Sequence, residues 1–83
     1  MRYTVVWMPL AEAQLARIRM AASDRQTITD AVNRSDHVLA TDPEQKGQPI
    51  GQLFTYEAAP LTVLYQVDPG DRMVRVFSVC RIN

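Results

Sequence analysis

Three cations are the residues best placed for chemistry. Arg75 and Arg81 lie on a β-rich run at the end of the chain, and Lys46 lies in a polar stretch ahead of it. Guanidinium and ammonium groups can hold a phosphate and neutralise charge that develops on it. They supply no ready proton acceptor, because arginine stays charged and lysine needs a strongly lowered pKa. His37, the one histidine, sits in a polar helical stretch between Asp36 and Val38 and reads as a solvated helix residue. Cys80, the one cysteine, permits no internal disulfide and reads as a small hydrophobe near the end of a strand. Ser35 and Ser78 have no histidine placed beside them, so a nucleophilic triad lacks support. The glycines at 47, 51 and 70 stand too far apart for a phosphate-cradling loop, and no cysteine–histidine spacing matches zinc. No cofactor and no metal is therefore expected, and the catalytic candidates are Arg81, Arg75 and Lys46.

A chain of 83 residues is expected to form one domain spanning positions 1–83. Its 47% hydrophobic content is that of a folded domain and excludes a disordered tail. Nine basic residues balance nine acidic ones, giving zero net charge and a pI near 6.5. Sequence-independent nucleic-acid binding normally needs a basic surface, so the overall charge argues against it while leaving room for a local arginine cluster. No apolar run approaches a membrane span and no signal-peptide layout opens the chain, so a cytoplasmic protein with no membrane partner is expected.

The elements that must position these residues are legible from residue type and period. Leu61–Val67 and Met73–Arg81 are rich in β-branched and aromatic residues and flank Asp68-Pro69-Gly70-Asp71, which predicts an antiparallel hairpin with glycine supplying the positive φ of the turn. Alternation puts Leu61, Val63, Tyr65 and Val67 on one face and Thr62, Leu64 and Gln66 on the other. On the second strand the same count groups Arg75 and Arg81 with Met73, Phe77 and Val79, on a partly open face.

Ahead of the hairpin, Arg2–Met8 reads as a first strand with Tyr3, Val5 and Trp7 on its core side. Pro9 opens a helix ending at Ala21 or Ala22, with Met8, Ala11, Leu15, Ile18 and Ala22 as its apolar stripe. Ser23 or Asp24 is expected to cap a second helix running to about Ala40, buried through Ile28, Ala31, Val32, Ser35 and Leu39. The intervening link is so short that the helices must be antiparallel neighbours. Thr41-Asp42-Pro43 is expected to stop the second helix and Glu44–Gly51 to be a loop, followed by a strand over Gln52–Glu57 and a turn at Ala58-Ala59-Pro60. The expected fold is thus α+β, in the order β-α-α-β-β-β. Two antiparallel helices cover one face of a mainly antiparallel four-stranded sheet, and the other face is left open. An exposed sheet face or edge is expected to recruit a partner, a second copy included.

This element order, with Leu39-x-x-Asp42-Pro43 at the helix end, Val63-Leu64-Tyr65-Gln66-Val67 and Val74-x-Val76-x-x-Val79-x-Arg81, resembles the RelE/ParE superfamily of type II toxin–antitoxin (plasmid stabilisation) toxins. The resemblance spans nearly the whole chain and is most specific in the hairpin. It implies a small toxin neutralised by a cognate antitoxin and directed at the ribosome and its mRNA, or at gyrase. In the ribosome-dependent nuclease branch, lysines and arginines on the open sheet face act with a C-terminal tyrosine or histidine. Matching the hairpins puts Leu53 and Thr55 where that branch has lysines and Thr62 where it has an arginine. Arg81 falls close to the family's basic position on the last strand.

Three functions follow. One is a toxin-like protein that binds an antitoxin and acts by occupancy, without efficient RNase chemistry. Another is a ribosome-dependent mRNA endoribonuclease with a rearranged basic site of Arg75, Arg81 and Lys46. The last is a decayed or repurposed protein-interaction domain.

Overall fold

The computed structural model describes residues 2–82. In chain order they form β1 (Thr4–Trp7), α1 (Pro9–Ala21), α2 (Arg25–Leu39), α3 (Pro43–Lys46), β2 (Gln48–Ile50), β3 (Leu53–Ala58), β4 (Leu61–Asp68) and β5 (Met73–Arg81). The strands build one five-stranded sheet in the order β1-β5-β4-β3-β2. All neighbours are antiparallel except β1, which runs parallel to β5. The fold class is the α+β arrangement expected, with one strand and one short helix more than the sequence suggested.

The helices form where residue type and spacing place them. Pro9, with φ already fixed, opens α1. On α2 the buried residues are Ile28, Ala31, Val32, Ser35 and Leu39, the five of the expected stripe. They meet Ala11 and Leu15 of α1 and the inward side chains Leu61, Val63, Tyr65, Val74, Val76 and Val79 in one core. Tyr3, Val5, Trp7 and Ile18 pack around its margin. Trp7 is half-buried, because its indole Nε1–H reaches out to donate to Asp36 Oδ1 at 2.8 Å.

Four features depart from expectation, each for a physical reason. First, residues 44–51 are not an open loop, since they hold most of α3 and the edge strand β2. The Tyr65 hydroxyl, fully buried, donates to the Pro43 carbonyl at 2.6 Å and ties α3 to the sheet. Gly51, at φ 61, then starts the two-residue turn that folds β2 back on β3, with Ile50 opposite Leu53.

Second, the β4–β5 turn takes its positive φ at Arg72 (φ 53) and not at Gly70. The Asp68 carboxylate accepts from the Asp71 amide at 3.2 Å and organises that turn.

Third, Asp24 stands at the N-cap of α2 without capping it. Its carboxylate is engaged by Arg81 instead, through bonds of 2.9 and 2.8 Å.

Fourth, a bulge interrupts the pairing of β4 and β5. Leu64 faces Ser78 while Tyr65 faces Val76, so Phe77 is an extra residue and the alternation of β5 resets. Val74, Val76 and Val79 all point inward as a result. The amide of Val79, beside the bulge, is satisfied by α1, donating to Gln14 Oε1 at 2.9 Å. The bulge overturns the grouping of Arg75 and Arg81 with Met73, Phe77 and Val79. Arg81 shares the helix side with Val79 and pairs across to the buried Leu61, while Arg75 stays on the open side opposite Gln66.

Candidate functional site

The face of the sheet away from the helices is the surface the fold leaves uncovered. Because Leu61, Val63 and Tyr65 face the core, register assigns their alternates Thr62, Leu64 and Gln66 to this open side. Leu53, Thr55 and Glu57 of β3 join them, as do Val6 of β1 and Arg75 and Ser78 of β5. The surface is mixed, with Val6, Leu53 and Leu64 between threonines, a glutamine and a few charges.

Its cation, Arg75, is tethered at one end. Nη1 contacts Asp68 Oδ2 at 3.4 Å, and Nη2 lies 3.8 Å from the Met73 sulfur. Asp68 is held below the ordinary carboxylate range, chiefly because the Asp71 amide donates to it, with Arg75 adding to the effect. The pair is about one-third exposed on each side, so such a contact contributes little to stability. An incoming phosphate could draw Arg75 away from Asp68 at small cost.

The three catalytic candidates do not come together. Arg81 is on the helix side, with Asp24 as its partner; the bidentate bond lowers the carboxyl pKa of Asp24 and raises that of the guanidinium. Six residues of β5 separate it from Arg75, about 20 Å at roughly 3.3 Å per residue. Lys46 is exposed at the end of α3, next to β2, and three strand spacings separate β2 from the strand of Arg75, about 14 Å. The positions matched to the nuclease branch, Leu53, Thr55 and Thr62, do lie on the open face, but none carries a charge.

Reading the sequence overlooked Glu57, an exposed carboxylate on the open side opposite Thr62. Strict alternation along Leu53–Ala58 would have placed it there. Glu57 and Arg75 lie opposite Thr62 and Gln66 of β4. Four residues along the strands and two strand spacings across therefore separate them, about 16 Å. Among the described residues, no group of three or more His, Cys, Asp or Glu is arranged to hold a metal ion. No described helix is long and apolar enough to cross a membrane.

No family model matches the sequence, and no curated protein does. Solved structures do. The toxin–antitoxin complex RelBE2 from Mycobacterium tuberculosis aligns with a TM-score of 0.82 at 19% identity, covering 98% of this chain and 99% of that one. This chain has the RelE/ParE fold. The archaeal RelE–RelB complex from Pyrococcus horikoshii aligns at a TM-score of 0.71 and 14% identity, over 100% of this chain and 98% of its counterpart. The ParDE system of P. aeruginosa gives 0.69 and 14%, over 99% and 98%. Coverage of nearly the whole of both chains means that the RelE/ParE fold is present here with little added or lost. Identities this low leave the open-face side chains free to differ, which is where the matched positions carry no charge.

Proposed function

We infer that this chain is the toxin-like component of a type II toxin–antitoxin module, which binds a cognate antitoxin and acts by occupying its target and not by efficient RNA cleavage. The toxin role is supported by the fold shared with chains of the RelBE2, RelE–RelB and ParDE systems. The antitoxin partner is supported by the uncovered, mixed surface of the sheet, which is available to a second protein. Without that partner the same surface favours self-association.

One observation supports the absence of cleavage: among the described residues, the charged groups of the open face do not converge. Cleaving RNA at a 2′-hydroxyl needs a base, an acid and a phosphate-binding cation, all within about 3 Å of the reacting atoms. Here Arg75 is paired with Asp68. Glu57 lies about 16 Å away on the sheet, Lys46 is about 14 Å or more across it, and Arg81 is on the opposite side. Arg75 can hold a phosphate, but no described group is positioned to move the proton.

The test is to incubate the purified protein with translating ribosomes and map the mRNA ends. Intact message is expected. Codon-positioned cuts that disappear in Arg75→Ala or Arg81→Ala would restore the nuclease reading. Co-purification with the product of a neighbouring short reading frame is the expected sign of the antitoxin.

A further inference from the structure

Where α1 turns into α2, on the side of the sheet opposite the open face, the molecule has an open cavity of about 500 Å3. That volume lies within the range of small-molecule sites, about 300–1,000 Å3. Its walls are chemically two-sided. Ile18, Ala21 and Ala22 form an apolar floor, and Ile18 and Ala22 continue directly from the core. Arg17, Ser23 and the Asp24–Arg81 pair form the rim.

The rim favours an anion. Among the described lining residues the one carboxylate, Asp24, is already engaged by both terminal nitrogens of Arg81, at 2.9 and 2.8 Å. Arg17 and Ser23 are exposed and line the cavity beside the floor, so each brings a hydrogen-bond donor to its wall. Arg19 and Arg25 flank the lining residues in sequence, and Arg25 Nε is drawn over the α1 terminus by the Arg19 carbonyl at 3.0 Å. Arg17 and Arg81 line the cavity, with Arg19 and Arg25 at the adjoining helix ends; Asp24 offsets Arg81, so Arg17 leaves the described lining net positive. A positive field over a concave, partly apolar surface concentrates anions there.

We propose that this cavity binds a small organic anion, a carboxylate or phosphate monoester carried on a short apolar body. The head group takes Arg17 and the Ser23 hydroxyl, and the body lies over Ile18, Ala21 and Ala22. A free inorganic anion satisfies only the rim and a neutral apolar molecule only the floor. The site is separate from the open face and does not depend on a toxin role.

Titration of the isotope-labelled protein, followed by amide chemical shifts, tests this. Hexanoate and hexyl phosphate are expected to give saturable shifts confined to residues 17–25 and 81. Acetate and hexanol, which each supply half of the ligand, are expected to bind at least about tenfold more weakly. Arg17→Gln should weaken hexanoate about tenfold, as expected for loss of one charge-assisted contact, while Arg75→Gln should leave it unchanged. Arg17 is exposed, so the variant's amide spectrum reports directly on retained folding. Whichever head group binds more tightly identifies the natural source as carboxylate or phosphate, and either supports the site. The proposal is overturned if hexanoate shifts follow Arg34, Lys46 or Arg75 equally. It is also overturned if acetate or hexanol matches hexanoate, or if Arg17→Gln binds like the parent.

Discussion

Replacing Gly47 with alanine should destabilise this fold by about 2–4 kcal/mol, although glycine-to-alanine substitution at an unstrained position normally stabilises. Gly47 has φ −105, a backbone conformation that alanine adopts freely. On conformational entropy alone the change should add about 0.4–1 kcal/mol. Packing reverses the sign. A Cβ at Gly47 would overlap the Tyr65 hydroxyl and would lie 2.7 Å from the Thr55 carbonyl oxygen and 3.0 Å from Tyr65 Cζ. The Thr55 oxygen belongs to the backbone of β3, a strand held between β2 and β4.

The phenol cannot swing aside cheaply, because it is fully buried and donates to the Pro43 carbonyl at 2.6 Å. Moving it leaves a buried donor and acceptor unpaired, at about 1–3 kcal/mol. Overpacking against the fixed carbonyl adds about 1–3 kcal/mol more. A domain of this size has about 4–12 kcal/mol in total, so the variant should remain folded and measurable.

Urea denaturation followed through Trp7 fluorescence gives the free energies, and a double-mutant cycle with Tyr65→Phe isolates the contact. Phenylalanine removes the overlapping oxygen. The double variant should therefore be more stable than the sum of the single effects allows, by about 1 kcal/mol or more. A Gly47→Ala protein within about 0.5 kcal/mol of the parent, or an additive cycle, would refute the claim that Tyr65 and Gly47 jointly fix α3 on the sheet.

Two further outcomes are expected. Burial, with Tyr56 nearby, raises the Tyr65 phenol to about 12 from its ordinary 10.0. Its contribution to stability is present in full below pH 10.0 and is lost as pH rises through about 12, because only the unfolded chain ionises in that window. The difference in stability between parent and Tyr65→Phe should shrink by up to about 3 kcal/mol between those limits, and a flat difference in alkaline urea titrations would count against it. Gln14→Ala should cost about 1 kcal/mol, because the Val79 amide beside the bulge loses the acceptor that α1 provides. Amide exchange at Val79 should quicken in step, and unchanged protection there would mean that the bulge is held by other means.

Local pattern by itself determined much of this protein. The five buried residues of α2, the bounds of β5 and the start of α1 at Pro9 all follow from period, residue type and proline geometry. The open positions of β3 and β4 also follow from alternation once one inward residue is known. These are local properties, and a stretch of a few residues carries enough information to express them.

Tertiary structure decided the rest. Gln48–Ile50 is exposed throughout, contains a proline and shows no alternation, so only pairing with β3 makes it a strand. Asp24 has the chemistry of a helix cap, yet an arginine 57 residues away takes its carboxylate. One extra residue opposite Leu64 and Tyr65 resets the alternation of β5, carrying Val79 into the core and Arg81 to the helix side. No window of β5 alone reveals that residue, because a bulge is a property of two strands in register. It separates the two arginines that strict alternation would have put on one face, and with them the catalytic set that the sequence suggested.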